Sequence, residues 1–358
     1  MGYRARRFEP DADREALLAL WQGNLSDRSL APRLEARYRW LYESHPLHAL
    51  RTFLVVDETS GAVVECSSLV PHTVSVDGVL VPAAIGVDLA TAAGHRVAGP
   101  AVTMQRAAVE AVGQGLLGAG AFSFAYPNDG ALPVVKRVGY KVVAKTSHAV
   151  KPVRTAYKLR AKLRVDALVA PAALAGDFVL RALDWARLAA ARGGDRPEVV
   201  AVPDGRFDRL YDTVRERVPI LGDRRSDFLT WRYVSCPTKA YTIFALFDHR
   251  TDDLRAYAIY AIDGRTAIIA DALATDDRVL TTLFVRLAIH LRDGPVDSLF
   301  ASFAGDEALA RALVGAGFFP RGEDRTFVLF VPPSVPEARR SKLASGAGWR
   351  IFDGELDI

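Results

Sequence analysis

A short pattern of aromatic, serine and proline residues occurs twice in this chain of 358 residues. Residues 40–46 are WLYESHP and residues 231–237 are WRYVSCP, so tryptophan, tyrosine, serine and proline recur at the same spacing. A β-rich run follows each copy, beginning at Thr52 and at Thr242, and a helical pattern precedes each copy. This self-similarity indicates an internal repeat, so the chain is expected to contain two copies of one α+β unit.

Two further echoes support the repeat. DLAT at residues 88–91 matches ALAT at residues 272–275, and Gly139-Tyr140 matches Gly317-Phe318. The distance between the copies shrinks along the chain, as expected if the second copy has shorter loops. The length also agrees with two domains of about 100–200 residues each. The predicted division is a first unit at 1–155, a basic and helical connector at 156–196, a second unit at 197–333 and a C-terminal tail at 334–358.

The composition excludes several classes of protein. The formal net charge is only +4, which does not predict a nucleic-acid partner. Cys66 and Cys236 are the only cysteines and lie far apart, so neither a disulfide framework nor a zinc site is expected. No apolar run is long enough to span a bilayer, and the first residues lack the apolar core of a secretory leader. These features predict a cytoplasmic protein without a transmembrane segment.

The segment DLATAAGHRVAGPA, residues 88–101, is typical of a strand that runs through a small-residue turn into a helix. Gly99 would let backbone N–H groups approach an anion closely, and Pro100 suits the first turn of a helix. The helix dipole and unpaired amides would favour a diphosphate, and Arg96 would add a charge-assisted contact. Glycine at a helix start is common, so this pattern alone is a weak predictor of a phosphate site.

In context, the segment resembles the pyrophosphate-binding motif of the GNAT acyltransferase superfamily, Arg/Gln-x-x-Gly-x-Gly/Ala, with Arg96, Gly99 and Ala101 at its three positions. The family's downstream pattern, Asn-x-x-Ala-x-x-x-Tyr-x-x-x-Gly-Phe, is matched at Asn128 and at Gly139-Tyr140. The resemblance implies tandem GNAT folds of the α+β class, each with a mixed, mostly antiparallel sheet flanked by helices. It also implies acyl-CoA-dependent N-acyl transfer.

The resemblance implies acetyl-CoA, or another acyl-CoA, as the cofactor of the first unit. A small amine or an amino sugar is the implied acceptor, bound between the units. The residues implied to contact the cofactor, on the strand end, the turn and the downstream motif, are Leu89, Ala90, Thr91, Arg96, Val97, Ala98, Gly99, Pro100, Ala101 and Asn128.

Three residues are candidates for catalytic proton transfer. Asp88 could act as a general base through water or could make a structural hydrogen bond, and the sequence leaves both roles open. Val135 stands where the family often has a tyrosine that acts as the general acid, and a valine cannot protonate a thiolate. Pro133 is expected to remove a hydrogen bond from the same short helix. Tyr126 and Tyr140 are therefore the candidate proton donors.

The second unit lacks the phosphate-binding pattern. Its turn, TDDRVLTT at residues 275–282, has no glycine and places Asp276 and Asp277 where phosphates would lie. Asp306 and Leu313 replace the motif's asparagine and tyrosine. The second unit is therefore expected to be a degenerate GNAT domain that shapes the acceptor pocket.

The connector between the units is strongly basic. Residues 130–165 contain ten Lys or Arg and no acid, and they could hold the 3′-phosphate of CoA, meet anionic lipid or polymer, or form a solvated connector. Leu159 and Leu163 share a helical face, which would permit a weak peripheral membrane contact. A helix is predicted from Pro171 to Ala191, ending at Gly193-Gly194.

The repeated tryptophan pattern and the tail leave further alternatives. The pattern could be a sugar-stacking platform, but its presence in both units favours a structural role. His72 would face either the acceptor groove or solvent. The whole chain also resembles tandem GNAT proteins found with polysaccharide-assembly genes, which implies an amino-sugar acceptor. That resemblance depends on the repeated helix end and on an acidic tail after a tryptophan, here Trp349, Asp353, Glu355 and Asp357.

Two other functions stay open at this point. Val135 and the degenerate second unit would also suit a catalytically silent protein that binds acyl-CoA or acts as a scaffold. Fem-like aminoacyl transfer from tRNA is a more distant alternative. It would need a strongly basic surface, of which the sequence offers only the connector. The oligomeric state cannot be derived from these patterns.

Overall fold

The computed structural model describes residues 2–25, 28–47, 50–96, 98–162, 166–191, 194–305 and 307–355. Val97, Leu163, Gly193, Asp306 and Asp357, named above, lie outside these residues. The strands are β1 (Tyr3–Arg7), β2 (Arg51–Asp57), β3 (Val63–Val76), β4 (Val79–Thr91), β5 (Phe122–Ala125), β6 (Lys141–Pro152), β7 (Asp195–Val200), β8 (Ile220–Gly222), β9 (Thr242–Asp248), β10 (Leu254–Asp263), β11 (Thr266–Ala274), β12 (Ser298–Gly305), β13 (Phe319–Phe330) and β14 (Trp349–Phe352).

The α-helices are α1 (Pro10–Asn24), α2 (Leu34–Tyr38), α3 (Ala98–Gly113), α4 (Leu132–Arg137), α5 (Ala156–Lys162), α6 (Asp166–Ala191), α7 (Gly205–Val214), α8 (Ser226–Leu229), α9 (Asp277–Leu291), α10 (Glu307–Gly315) and α11 (Glu337–Ala344). Single turns of 3-10 helix cover Ala93–His95, Gly346–Gly348 and Asp353–Glu355, a longer one covers Arg28–Arg33, and π-helical turns cover Arg39–Glu43 and Thr230–Val234. None of the described helices is long and apolar enough to cross a membrane.

Local sequence signals account for several of these boundaries. Pro10 begins α1, where its missing N–H costs nothing, and Leu17 and Trp21 are buried on the inner face of this helix. Asp77 and Gly78 both have positive φ, at 50° and 77°, and form the two-residue turn of the β3–β4 hairpin. An Asp-Gly pair is favoured in such turns because both central residues must adopt left-handed conformations.

The strands form one continuous sheet rather than one sheet per unit. Its order is β1-β2-β3-β4-β5-β13-β6-β12-β11-β10-β9-β7. The two units exchange their last strands, because β13 of the second unit pairs with β5 and β6 of the first pairs with β12. The separate sheets expected from the sequence are therefore joined, and the exchange leaves neither β5 nor β12 with an open edge at the junction.

Two short strands close a ring at the centre of the molecule. β8 pairs with β3 and with β14, and β14 pairs with β12. Among the described strands, the ring runs β3-β4-β5-β13-β6-β12-β14-β8 and back to β3. Aromatic side chains fill part of its interior, where Trp349 contacts Phe124 and Phe327. The tail is thus part of the sheet, and it joins the two units.

The repeated tryptophans lie face to face between the units. The rings of Trp40 and Trp231 stack with centroids 4.9 Å apart and planes 17° apart. Each indole Nε1 donates to the backbone carbonyl of the other tryptophan, at 2.8 and 3.0 Å. Both lie in π-helical turns at equivalent places, so the repeat forms a pseudo-twofold contact. This geometry supports the structural role of the pattern over a sugar-stacking platform.

Candidate functional site

The first unit has an opening where β4 and β5 separate. The two strands run parallel and pair from Ala83–Gly86 to Phe122–Ala125. Beyond Gly86, residues 87–91 of β4 pair with β3 alone among the described strands. A bulge at Asp88, where φ is 56° and the register with β3 shifts, turns the strand at this point. One edge of the β4 end therefore faces the opening.

The turn beside this opening has the predicted strand–turn–helix order. β4 ends at Thr91, a 3-10 turn covers Ala93–His95, and α3 begins at Ala98. Arg96 is exposed, and its guanidinium donates to the Thr91 carbonyl at 3.4 Å and to Asn24 Oδ1 at 3.3 Å. These long contacts leave the guanidinium at the surface of the turn.

Gly99 lies over the ring of Tyr3, and a Cβ at this position would be 3.4 Å from the ring, an ordinary contact. A β-carbon at residue 99 would therefore fit against Tyr3, and Gly99 itself is exposed at the start of α3. Pro100 and Ala101, the next two residues of α3, are buried. Val97 and the side chain of Ala98 lie outside the described part of the chain.

The strand end alternates between two faces of the sheet. Ala90 is fully buried in the core between the units, and Leu89 packs against the apolar cluster under α3. Thr91 pairs with Glu65 of β3, whose carboxyl group is fully buried. Neither Glu65 oxygen has a hydrogen-bond partner among the described residues, and burial raises the pKa of Glu65 to about 8. This acid was not identified from the sequence.

Asp88 is held by a buried ion pair. Its two carboxylate oxygens accept hydrogen bonds from Arg37 of α2, at 2.8 and 2.9 Å. Both side chains are more than nine-tenths buried. A bidentate pair of this kind fixes the carboxylate and, through it, the bulge of β4.

The two candidate tyrosines lie in different places. Tyr126 follows β5 at the opening, stacks on Phe327, and has a buried hydroxyl with no hydrogen-bond partner among the described residues. Burial holds its pKa well above the usual value, and the charge of Glu355 adds to that rise. Tyr140 packs in a separate cluster with Val135, and its hydroxyl lies 2.9 Å from Ser123 Oγ. Only Tyr126 is brought to the opening.

The downstream motif forms the start of α4. Asn128 Oδ1 accepts a hydrogen bond from the Ala131 N–H at 2.9 Å, so this exposed side chain caps the turn. Pro133 lies in the first turn of α4, where no backbone N–H is needed. The prediction that Pro133 removes a hydrogen bond from this helix is therefore wrong, because a proline in the first turn favours the start of a helix.

A polar cluster inside the strand ring was missed by the sequence analysis. Arg224 donates to both oxygens of Glu355, each at 3.0 Å, and its Nε lies 3.2 Å from Asp271 Oδ1. His72 Nε2 is 3.8 Å from Glu355 Oε1, which is too long for a hydrogen bond. His72 is 3% exposed, and neither of its ring nitrogens has a partner among the described residues.

The charge state of Glu355 follows from this cluster. Burial is the largest single influence and acts to raise its pKa, but Arg224 and His72 together outweigh burial and lower the pKa of Glu355 to about 2. The carboxylate is therefore charged at neutral pH, within the electrostatic range of the Tyr126 hydroxyl. The acidic tail noted in the sequence was the one available signal for Glu355, but nothing local pointed to Arg224.

In the second unit the corresponding opening is filled. β11 and β12 pair only up to Ile269 and Ala301, and β14 then lies along β12 and contacts β11. Gly305 has φ of 95°, and a Cβ there would lie 2.3 Å from the Gly346 carbonyl, so only glycine fits. The C-terminal segment thus occupies the space between the diverging strands.

The helix start of the second unit is also blocked. The Asp276 carboxylate accepts hydrogen bonds from the backbone N–H groups of Arg278 and Val279, both at 3.0 Å. These are the amides that an anion at the start of α9 would need, and a fixed carboxylate repels phosphate. A cavity of about 650 Å³ lies elsewhere, lined by Arg33 of the first unit and by second-unit residues such as Tyr233, Lys239 and Tyr241.

Several solved structures have a fold similar to that of this chain, although no family model and no curated protein sequence matches it. Its structure is similar to a GCN5-related N-acetyltransferase from Anabaena variabilis ATCC 29413, with a TM-score of 0.64 and 13% identity over 92% of this chain and 72% of that one. It is also similar to a tandem GNAT protein from the clavulanic acid biosynthesis pathway, with a TM-score of 0.55 and 14% identity over 94% and 100%.

A third similar structure is N-myristoyltransferase from Saccharomyces cerevisiae with bound myristoyl-CoA. Its TM-score is 0.54 and the identity is 12%, over 92% of this chain and 82% of that chain. At these identities the likeness concerns the fold. The chain therefore has the GNAT fold in a tandem arrangement, which its repeat and its resemblance to the GNAT motif predicted.

Proposed function

We propose that the protein is an acyl-CoA-dependent N-acyltransferase that binds one acyl-CoA in the first unit and its amine acceptor between the units. One observation carries this proposal. The strand opening beside the Arg96–Ala101 turn has no described strand in it, whereas the equivalent opening of the second unit contains β14. The asymmetry supports a site kept in one unit and lost in the other.

The residues of the first unit suit an acyl-CoA. Arg96 and the exposed start of α3 would hold the diphosphate, through charge and through the helix dipole. The free edge of Leu89, Ala90 and Thr91 would run along the pantetheine arm. Backbone N–H groups near the Asp88 bulge would polarise the thioester carbonyl. The similar myristoyltransferase structure contains myristoyl-CoA, which supports a ligand of this class.

The thioester supplies an activated acyl group, and the chain supplies proton transfer and orientation. On the acceptor side we assign His72 as the base, because its buried ring nitrogens lack partners among the described residues and lie beside the Glu355 carboxylate. Glu355 would attract the acceptor ammonium, and His72 would take its proton. The amine nitrogen then bonds to the acyl carbon as the carbon–sulfur bond breaks.

The leaving sulfur needs a proton. Tyr126 is the proposed donor, because its raised pKa keeps the hydroxyl protonated and Arg224 would favour the resulting tyrosinate. Of the two roles open to Asp88, its bidentate pair with Arg37 supports positioning of the bulge rather than proton transfer. Tyr140 is assigned a packing role, since its hydroxyl is bonded to Ser123.

Thioester turnover tests this proposal. Release of free CoA from acetyl-CoA, propionyl-CoA and longer acyl-CoA is measured with a panel of small amines and amino sugars, in wild type and in Tyr126→Phe and His72→Gln. The proposal expects turnover in wild type and about 100-fold slower turnover in each variant, with unchanged acyl-CoA binding. Binding without turnover for every amine tested would favour the catalytically silent alternative, which the buried Val135 suggests.

A further inference from the structure

Helix α6 exposes large apolar side chains and buries an acidic one, which is the reverse of an ordinary surface helix. Five of its large apolar side chains are exposed: Leu174 (74%), Phe178 (72%), Val179 (54%), Leu183 (47%) and Trp185 (63%). Leu174, Phe178 and Trp185 follow one another at helical spacing and form a single stripe. We define the outward face of α6 by these five residues.

The acidic side chains of α6 that the structure describes point into the protein instead. Asp184 is 1% exposed and accepts hydrogen bonds from Lys151, at 2.6 Å, and from Arg292. Asp177 accepts from the backbone N–H and the hydroxyl of Thr155, at 2.7 and 2.8 Å. The helix is thus fixed to the protein by ion pairs and hydrogen bonds, while its apolar residues face outward.

The charge around the outward face selects its partner. Arg181 of α6 and Arg160 of the adjacent α5 are both exposed. The sequence of α5, which contacts α6, carries three basic residues and no acid over residues 156–162. A second copy of the chain would bring these like charges together, whereas an anionic lipid surface would complement them. Aromatic and aliphatic side chains flanked by cations are typical of helices that lie in a membrane interface.

We propose that the outward face of α6 docks on an anionic lipid bilayer surface, with Leu174, Phe178 and Trp185 inserted and the basic residues over the headgroups. The contact would hold the protein at a membrane independently of acyl transfer. The headgroup contact falls to the exposed Arg160 and Arg181, since Lys151 and Arg154 are used within the fold.

Vesicle binding and tryptophan fluorescence test the proposal directly. Of the five tryptophans only Trp185 is exposed, while Trp21, Trp40, Trp231 and Trp349 are each at most 4% exposed. A blue shift on adding vesicles would therefore report Trp185. We expect co-sedimentation and a blue shift with phosphatidylcholine vesicles that contain phosphatidylglycerol, weaker binding in high salt, and little binding to phosphatidylcholine alone.

Variants separate the proposal from non-specific adsorption. Phe178→Glu should lower the bound fraction about tenfold or more, with an unchanged melting temperature because the side chain is exposed. Val314→Glu, at a 54% exposed position of α10, is the matched control and should bind like wild type. Trp185→Phe should still bind but lose the blue shift.

Two results would overturn the proposal. One is absence of binding to anionic vesicles. The other is a concentration-dependent dimer that Phe178→Glu converts to monomer, with no vesicle binding, which would assign the face to a second copy of the chain. Neither result bears on acyl-CoA binding or turnover, so the proposed enzymatic function stands or falls separately.

Discussion

Two buried carboxyl groups on neighbouring strands of the first unit differ in their environments. Asp88 on β4 is compensated by the two hydrogen bonds from Arg37. Glu65 on β3 has no charge partner and no hydrogen bond of normal geometry among the described residues, and an interaction with Thr91 only partly offsets its burial. Burial of a charge is tolerated only when it is paired or neutralised. Arg37 pairs with Asp88, whereas Glu65 is expected to be protonated near neutral pH.

Removing one partner of the Asp88–Arg37 pair should lower the free energy of unfolding. Asp88→Asn keeps a residue that tolerates the positive φ but removes the carboxylate that accepts two hydrogen bonds from the buried Arg37. We expect a loss of about 3 kcal/mol in the free energy of unfolding, measured by urea denaturation. The double variant Asp88→Asn with Arg37→Met should be more stable than Asp88→Asn alone. If the single variant is as stable as wild type, the ion pair does not fix the bulge.

Glu65 should make stability depend on pH. Its folded pKa of about 8 lies above the ordinary value of 4.5, so its contribution is fully present below the unfolded pKa and declines as pH rises toward 8. Glu65→Gln does not titrate. The stability of the variant relative to wild type should therefore rise by about 2–5 kcal/mol between about pH 5 and about pH 9. Urea denaturation at several pH values measures this, and a pH-independent difference would contradict a neutral buried acid.

At the scale of the elements, local sequence patterns predicted helices, strands and turns that are formed by continuous segments of the chain. The alternating run before Thr91 and the small residues after it were sufficient to predict β4, the turn and α3. The exchange of β6 and β13 had no such signal, because each strand would look the same whichever sheet it joined. Their pairing is decided by contacts between residues more than 150 positions apart, such as Val150 and Phe319.

The cap of α9 gives a prediction at this scale. Asp276→Ala removes the carboxylate that accepts from Arg278 and Val279 N–H, and should lower the free energy of unfolding by about 1 kcal/mol. Asp277→Ala is the matched control and should change stability less, because Asp277 is not the capping residue. Thermal denaturation compares the two. Equal losses for both variants would mean that the cap does not stabilise the helix.

At the scale of the whole molecule, the centre is built from distant parts of the chain. His72, Arg224 and Glu355 come from the first unit, the second unit and the C-terminal segment, and they meet inside the strand ring. The sequence predicted two related units and an acidic tail but not their meeting, because no local pattern encodes which charges become neighbours. The repeat was predictable because the same residue pattern occurs at 40–46 and at 231–237. Its stacked tryptophans lie at the contact between the units.

The filled opening and the capped α9 of the second unit support the proposal of a single acyl-CoA site, in the first unit. Isothermal titration calorimetry with CoA and acetyl-CoA counts the sites per chain. We expect one site, loss of binding in Gly99→Asp, because a carboxylate at the exposed start of α3 would repel the diphosphate, and unchanged binding in Asp277→Ala. Two sites per chain, or full binding by a folded Gly99→Asp variant, would contradict the proposal.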